Sequence, residues 1–195
     1  MSYIHSVCVY CGSSNKAPQI YKKTAADLGV LLAKNKIRLV FGGGKMGLMG
    51  IVSKACLEAK GHVTGFMTQF LYDYEGGNEE ITELHIVESM HERKQHMFAA
   101  SEAFIILPGG LGTLDETFEI MTWKQLGLHE KQIIIIDIDR YWTSLFDHFF
   151  HHMIKNNFIR AEDLNLFTMV HSVDEVLDAL HRPKKQDKNF VKKWG

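Results

Sequence analysis

Apolar residues are clustered along the chain in a pattern that predicts strands alternating with helices. Seven short segments rich in apolar and β-branched residues are typical of strands, at 4–10, 37–41, 62–67, 83–87, 103–107, 132–137 and 166–170. Between strands, apolar residues recur at helical spacing, as Ile20, Leu28 and Leu32 do. This alternation predicts an α/β fold of one domain, a doubly wound, mostly parallel sheet with helices on both faces, which is Rossmann-like.

Three of the predicted loops follow strands and should therefore meet at the carboxyl edge of the sheet, where such folds bind ligands. They are Cys11 to Asn15, Gly42 to Gly47 and Pro108 to Thr113. A further segment, Asp73 to Glu80, contains two glycines and an asparagine, and it is the most loop-like internal stretch. We expect it to form a mobile lid.

The segment Pro108 to Glu116 predicts a phosphate site. Its glycines follow an apolar strand and lead into a helix, for which Thr113 is the expected N-cap. Glycines let an anion approach backbone N–H groups closely, and the helix dipole adds roughly half a positive charge at that end.

A second glycine motif gives a weaker signal. Gly42, Gly44 and Gly47 match G-x-G-x-x-G between a strand and a helix, as in dinucleotide-binding proteins. The stretch 59–72 contains no acidic residue to bind ribose hydroxyls, which argues against NAD. Two interpretations remain open, which are contact with a mononucleotide or phosphate and a purely structural need for glycine.

Two charged residues are predicted on apolar helix faces. Arg93 shares a face with Met90 and Met97, so its guanidinium needs an anion, which could be a structural carboxylate, a ligand phosphate or a catalytic carboxylate. Glu116 shares a face with Ile120 at the start of the helix that follows the glycine turn. A phosphate cradle, a cation and a carboxylate in one pocket are the parts needed for hydrolysis at a phosphorylated sugar.

Other clusters do not predict a metal or redox site. Cys8 and Cys11 point to opposite faces of a strand, and the histidines at 91 and 96 are five residues apart rather than four. The histidines at 148, 151 and 152 lie on the polar side of a predicted helix, where we expect them to be solvated.

The composition predicts one cytoplasmic domain with a small-molecule partner. The 195 residues carry a formal net charge of −1, which gives no overall attraction to nucleic acid or membranes. There is no apolar run of the ~20 residues needed to span a bilayer, no signal-peptide layout, and three cysteines are too few for a disulfide framework. We assign residues 1–181 to the domain and residues 182–195 to a basic C-terminal tail.

Two segments carry a resemblance to a known family. Met90 to Lys94 and Pro108 to Glu116 together resemble the signature of the LONELY GUY family, the cytokinin riboside 5'-monophosphate phosphoribohydrolases and their bacterial relatives. The stretches 9–14, 41–50 and 122–127 are also similar to that family. The resemblance implies hydrolysis of the N-glycosidic bond of AMP or its N6-modified forms to free base and ribose 5-phosphate.

The resemblance also implies site residues and an assembly. Arg93 and Glu116 match the catalytic pair of the family. The residues that match substrate-binding positions are Glu75, Arg93, Lys94, Gly110, Leu111, Gly112, Thr113, Leu114, Asp115, Glu116 and Thr122. The family further implies a homodimer with sites near the subunit interface, and no metal or organic cofactor.

Departures from the family pattern and rival functions leave alternatives open. Asp115 replaces a common glutamate and Thr68 a common proline, which puts the base preference in doubt more than the reaction. Relatives are often described as lysine decarboxylases, but nothing in this sequence specifies a pyridoxal phosphate site. The main alternative is a non-catalytic nucleotide or molybdenum-cofactor carrier, which would keep the glycines without needing Glu116.

Overall fold

A seven-stranded parallel sheet forms the centre of residues 4–182, which are the residues that the computed structural model describes. All the strand pairs of this sheet are parallel, and the strand order is β4-β3-β2-β1-β5-β6-β7. The strands are β1 Ser6–Tyr10, β2 Arg38–Phe41, β3 Val63–Thr68, β4 Glu83–Val87, β5 Ala103–Ile106, β6 Gln132–Ile136 and β7 Thr168–Val170. The predicted doubly wound fold is confirmed, and the sheet is parallel throughout.

Helices connect the strands and cover both faces of the sheet. Within residues 4–182 they are α1 Gln19–Lys34, α2 Gly47–Glu58, α3 Gln69–Glu75, α4 Met90–Ala99, α5 Leu111–Gln125, α6 Thr143–Lys155 and α7 Val176–His181. Short 3₁₀ turns occur at Ile138–Arg140, Ala161–Leu166 and Val173–Glu175.

Two apolar cores lie on the two faces of the sheet. Because successive residues of a strand point to opposite faces, Val7 and Val9 pack with α1, α2 and α7, whereas Cys8 and Tyr10 pack with α4, α5 and α6. Cys11 belongs to the first core, so Cys8 and Cys11 do point to opposite sides, as predicted. The histidines at 148, 151 and 152 are exposed, as predicted.

The order of the strands creates the crevice in which such sheets bind ligands. The chain proceeds outward from β1 to β4 and then returns to form β5 on the other side of β1. The loops after β1 and β5 therefore leave the sheet in opposite directions. The glycine turn that starts at Pro108 lies at this switch point.

The expected lid segment differs from its prediction. Residues 73–75 are the last turn of α3, which begins after Thr68, and the Thr68 side chain caps the start of this helix by accepting a hydrogen bond from the Leu71 N–H. Beyond the helix, Gly77 forms an isolated bridge with Gly44, and the Asn78 N–H donates to the Gly43 carbonyl at 3.0 Å. The segment is thus joined to the loop after β2, and its mobility stays a prediction.

The predicted basic tail, residues 182–195, lies outside the described residues except for Arg182. None of the helices within residues 4–182 combines the length and the apolar composition that crossing a membrane requires.

Replacing Gly29 with alanine should destabilise the protein, although alanine favours helices. A Cβ at Gly29 would lie 2.4 Å from the Val52 carbonyl oxygen, so α1 and α2 would have to separate. We expect the free energy of unfolding to fall by about 1–3 kcal/mol, the usual cost of overpacking, in urea denaturation. Lys23→Ala, on the exposed side of α1, is the control and should change it by less than about 0.5 kcal/mol. A stability gain from Gly29→Ala would contradict this packing.

Candidate functional site

The loops after β1, β2 and β5 meet at the carboxyl edge of the sheet. The Gly12 N–H donates to the Pro108 carbonyl at 3.0 Å, and the Leu48 N–H donates to the Gly12 carbonyl at 2.9 Å. Each loop is thus fixed to the next through its backbone. The expectation that the three loops share one edge is confirmed.

The turn at the start of α5 exposes a row of backbone donors. The helix begins at Leu111, with Gly110 in an extended conformation at its N-cap and no side-chain cap. Within residues 4–182, no protein group accepts a hydrogen bond from the N–H groups of residues 109–113. The first turn carries no acidic residue that would offset the helix dipole. This arrangement suits an anion.

Thr113 is not the helix cap, so this prediction is wrong. The helix starts two residues earlier, and the buried Thr113 side chain packs beside the turn instead. A Cβ at Gly109 would lie 2.1 Å from the Thr113 Oγ1 atom, which explains why glycine is required at 109. The Thr113 carbonyl accepts a hydrogen bond from the Thr117 hydroxyl at 2.6 Å.

The Arg93 guanidinium is buried at the same edge and joins three elements. Its Nε donates to the Phe66 carbonyl at 2.9 Å, and its Nη2 lies 3.4 Å from the Gly42 carbonyl oxygen. Its Nη1 donates to Glu116 Oε1 at 3.0 Å. Among the anions considered for Arg93 from the sequence, the structure therefore supplies the carboxylate of Glu116.

The second glycine motif has a structural explanation at two positions. A Cβ at Gly42 would lie 1.9 Å from Arg93 Nη2, so the arginine can occupy its place only beside a glycine. Gly47 has a φ of +58°, and a Cβ there would lie 2.4 Å from the Ser13 carbonyl carbon. Close packing thus accounts for these two glycines.

Glu116 is a nearly buried carboxyl group paired with a cation. Burial raises the pKa of Glu116 above its ordinary value, and the nearby Arg93 guanidinium opposes part of that rise. Within residues 4–182, Glu116 Oε2 accepts no hydrogen bond, and the side chain is 13% exposed. The carboxyl therefore keeps one oxygen available to a ligand or a water molecule.

Lys94, the residue after Arg93, connects α4 to α5 through two carboxylates. Its Nζ lies 3.0 Å from Glu119 Oε1 and 3.3 Å from Asp115 Oδ2. Burial lowers the pKa of Lys94, but the hydrogen bonds to Glu119 and Asp115 outweigh that effect and raise the pKa above its ordinary value. Sequence reasoning missed Glu119, although its spacing of four residues from Asp115 was a usable signal.

The other predicted substrate-binding residues are divided between two places. Gly110, Leu111 and Gly112 are exposed at the turn, and Leu114 is half-buried behind it. Glu75 ends α3 close to the loop after β2, since its Oε1 lies 3.7 Å from where a Cβ on Gly44 would be.

Thr122 lies away from the other site residues of the same chain. It follows Glu116 by six residues, about 9 Å along the helix axis. It lines a largely apolar cavity of about 270 Å³ between α5, α6 and the turn at Ala161–Leu166, together with Phe118, Phe149 and Met153. One chain therefore does not bring Thr122 to the Arg93–Glu116 pair.

A second cavity, of about 310 Å³, lies against the glycine turn and contains two tyrosines. It is lined by residues 12–14, Pro18, Tyr21, residues 108–110 and Tyr141. The Tyr141 hydroxyl donates to the Gly109 carbonyl at 2.7 Å. Sequence reasoning missed Tyr141, and no local signal could have shown it, because it lies 32 residues further along the chain.

Comparison with known proteins places these residues within a family. A family model described as "Possible lysine decarboxylase" matches residues 49–180. The chain is 38% identical to a cytokinin riboside 5'-monophosphate phosphoribohydrolase of Arabidopsis thaliana over 96% of its own length and 82% of that protein. It is 36% identical to a second Arabidopsis thaliana protein of that name, over 96% of its own length and 89% of that protein.

A solved structure with the same fold is more distant in sequence. The molybdenum cofactor binding protein of the phototrophic bacterium Rippkaea orientalis superimposes with a TM-score of 0.69, over 90% of this chain and 94% of that one. The two sequences are 19% identical. This likeness shows the shared fold alone.

Replacing Arg93 with methionine should be strongly destabilising at neutral pH. The free energy of unfolding should fall by about 3–5 kcal/mol at pH 7, because Glu116 stays buried without its cation. When a carboxyl has a higher pKa in the folded than in the unfolded state, the free energy of unfolding of the protein falls as the pH rises from the unfolded-state pKa to the folded-state pKa. The deficit should therefore shrink at pH 5, as measured by urea denaturation.

The double variant Arg93→Met/Glu116→Gln is the matched control for this prediction. It should recover part of the lost stability at pH 7, because a neutral amide needs no cation. A double variant that is no more stable than Arg93→Met at pH 7 would contradict a buried charge pair, whereas at pH 5 the two variants should differ less.

Proposed function

Because the chain belongs to the LONELY GUY family of cytokinin riboside 5'-monophosphate phosphoribohydrolases, we propose that it hydrolyses the N-glycosidic bond of purine nucleoside 5'-monophosphates. AMP and its N6-modified, cytokinin-type forms are the proposed substrates, and free base and ribose 5-phosphate the products. The observation that carries the proposal is the buried Glu116 carboxyl, paired with Arg93 and one helical turn beyond a row of free N–H groups.

The turn at the start of α5 is the proposed anchor for the 5'-phosphate. The free N–H groups of Gly110, Leu111, Gly112 and Thr113 and the positive end of the helix dipole favour an oxyanion there. The phosphate does not react, so its binding energy can hold the anomeric carbon in position for the chemistry. The backbone of Leu114 continues the same helical turn.

Glu116 is the proposed catalytic carboxylate. As the bond between the purine nitrogen and the anomeric carbon breaks, positive charge develops on the sugar, and a carboxylate beside it stabilises that charge. Glu116 also orients the attacking water and accepts its proton as the hydroxyl bonds to the anomeric carbon. The departing purine takes up a proton from solvent, and Glu116 returns its proton to solvent, so the net change is the addition of one water molecule. Burial raises the pKa of Glu116 toward neutral pH, which suits proton transfer at physiological pH.

Arg93 is the proposed partner of Glu116 in catalysis. Its contacts with the Phe66 and Gly42 carbonyls fix the guanidinium, and the guanidinium in turn fixes the carboxylate. Arg93 opposes, without cancelling, the effect of burial on the pKa of Glu116. The pair is thus held in the geometry that the reaction requires.

Three further side chains are proposed to contact substrate. Lys94 and Asp115 lie on the α4 side of the site, where the Lys94 ammonium is shared between Asp115 and Glu119. Glu75 approaches from α3, beside the loop after β2. We assign Glu75 to the sugar or base rather than to the phosphate, because two anions would repel each other.

Lysine decarboxylation, which the description of the family model names, fits these residues poorly. Such chemistry uses a lysine amine that forms an imine with pyridoxal phosphate. Lys94, the buried lysine at this site, is bound by two carboxylates that raise its pKa and keep it protonated. The proposed hydrolysis needs water as its co-substrate, and we assign no metal or organic cofactor to it.

A homodimer is proposed because one chain does not gather all the expected contacts. Thr122 lies on another side of α5 from Glu116, so a substrate contact from Thr122 requires a second subunit. Apolar side chains are exposed around this region, with Leu111 86%, Leu128 68% and Phe149 42% exposed. Pairing of α5 between subunits would cover such side chains.

A cytoplasmic location completes the proposal. The three cysteines are free and buried, which fits a reducing compartment.

The rival function is that of a non-catalytic carrier, and the site gives it less support. The fold is shared with a molybdenum cofactor binding protein, but the likeness is one of fold alone. A carrier needs donors for an anion and has no use for a buried carboxyl with an available oxygen. The Arg93–Glu116 pair therefore favours an enzyme.

Purified protein should release adenine and ribose 5-phosphate from AMP, as followed by chromatography of the free base. Glu116→Gln should lower kcat by a factor of about 10² to 10⁴, the usual loss for a positioned acid or base. Binding of AMP without turnover would identify a carrier, and an unchanged rate in Glu116→Gln would remove Glu116 from the mechanism.

Adenosine should be a far poorer substrate than AMP, because it lacks the group that the turn is proposed to bind. The expected loss in kcat/KM is at least about 100-fold, since a remote phosphate contributes several kcal/mol to the transition state. Comparing AMP, its N6-isopentenyl form and adenosine in one assay gives the base preference as well. Equal turnover of adenosine and AMP would exclude phosphate anchoring.

Mixing two impaired variants tests the shared site. Glu116→Gln and Thr122→Ala should each reduce activity, whereas mixed dimers contain one site with both residues intact. After unfolding and refolding together, the mixture should regain about one quarter of the parental activity, because half of random dimers are mixed and half of their sites are intact. Sedimentation equilibrium checks the assembly, and a monomer would contradict the proposal.

A further inference from the structure

The hydroxyl of Tyr141 holds one peptide of the glycine turn in a fixed direction. It donates to the Gly109 carbonyl at 2.7 Å, from the loop between β6 and α6. We propose that Tyr141 is a positioning residue, which aims the Gly110 N–H at the phosphate of the substrate. The inference rests on the proposed function for the identity of the phosphate ligand, and on the geometry of the turn for everything else.

The planarity of the peptide bond links the two groups. The peptide between Gly109 and Gly110 is trans, so its carbonyl and its N–H point in opposite directions. Since the carbonyl points to Tyr141, the Gly110 N–H points away from it. No group among residues 4–182 accepts a hydrogen bond from that N–H, which is therefore available to a ligand.

Two consecutive glycines make this peptide easy to reverse. A half-turn of the peptide plane would change the φ of Gly110 from −97° to about +83°, a region that glycine enters at little cost. The reversed peptide would present its carbonyl where the N–H had been, and an oxygen there repels a phosphate. The hydrogen bond from Tyr141 favours the donor-presenting orientation.

The preceding peptide is fixed in a similar way by the backbone. The Pro108 carbonyl accepts the Gly12 N–H at 3.0 Å, which directs the Gly109 N–H away from the loop after β1. That bond joins two backbone groups, whereas the Gly109 carbonyl depends on a side chain. Tyr141 is thus the point at which substitution can test the orientation of the turn.

The chain around Tyr141 holds this side chain in place. Asp137, which is buried at the end of β6, accepts the N–H groups of Trp142 at 2.7 Å and Thr143 at 3.0 Å and so fixes the start of α6. Asp139 and Arg140, just before Tyr141, both have positive φ values, of 53° and 54°. Two adjacent non-glycine residues in this region are unfavourable and indicate a conformation imposed by the surroundings.

Tyr21 offers a matched control for the hydroxyl of Tyr141. The two rings meet edge to face with their centroids 5.4 Å apart, and both line the cavity beside the turn. Within residues 4–182, the Tyr21 hydroxyl forms no hydrogen bond to the turn. Removing either hydroxyl therefore changes the same cavity by one oxygen, but only one removal frees the peptide.

The first experiment measures binding of ribose 5-phosphate and of adenosine by calorimetry. Tyr141→Phe should raise the Kd for ribose 5-phosphate about tenfold, as expected when a hydrogen bond to a charged group is compromised. Its Kd for adenosine, and both Kd values of Tyr21→Phe, should stay within about twofold of the parent. An equal loss of affinity for both ligands, or an equal loss in both variants, would show a general packing effect and overturn the proposal. An unchanged Kd of Tyr141→Phe for ribose 5-phosphate would also overturn it.

The second experiment asks whether peptide reversal causes the loss. Gly110→Ala disfavours the reversed state, because alanine rarely adopts a φ near +83°, and a Cβ there meets no protein atom within 4 Å. In the Gly110→Ala background, Tyr141→Phe should change the Kd for ribose 5-phosphate less than about twofold, in a double-mutant cycle. The same tenfold loss in both backgrounds would overturn peptide orientation as the role of Tyr141.

These binding measurements separate the inference from the proposed reaction. If AMP is not hydrolysed but ribose 5-phosphate binds and responds to Tyr141→Phe, the reaction fails and the role of Tyr141 stands. If AMP is hydrolysed and neither Kd nor KM responds to Tyr141→Phe, the reaction stands and the positioning role is wrong.

Discussion

The buried ion pair between Arg93 and Glu116 determines how the helices on one face of the sheet meet its edge. The guanidinium also donates to the Phe66 carbonyl within β3 and to the Gly42 carbonyl just after β2, so a single side chain joins α4, α5, β3 and the loop after β2. A charge left unpaired in such a place costs several kcal/mol, which leaves few alternative arrangements of α4 against α5. Gly42 is part of the same constraint, because any side chain there would occupy the position of Arg93.

Helix α5 carries both halves of the proposed chemistry on one rigid element. Its first turn presents free N–H groups, and Glu116 follows about one turn later, on the side that faces Arg93. The separation between phosphate anchor and carboxylate is therefore fixed by helix geometry rather than by loop conformation. Lys94 reinforces this arrangement from α4 through Asp115 and Glu119, while Tyr141 acts on the turn from the opposite side.

The directions in which α5 presents its side chains also explain why the expected substrate contacts do not all meet in one chain. Residues near its N-terminus face the glycine turn and α4, whereas Thr122 faces the cavity beside α6. A helix presents residues six positions apart in different directions, and no bending of the loops would bring Thr122 to Glu116. The proposed homodimer is thus as much a part of the proposed site as the fold of the single chain.

The sequence alone was enough to predict the order of strands and helices, the edge on which the loops meet, and the apolar surroundings of Arg93 and Glu116. These follow from local periodicity, since spacing shows which side of an element is buried. Periodicity does not show what covers that side, so the Arg93–Glu116 contact, the Glu119 contact with Lys94 and the hydrogen bond from Tyr141 to Gly109 were decided by tertiary structure. The same limit explains the error at Thr113, whose side chain packs against Gly109 instead of capping a helix that starts two residues earlier.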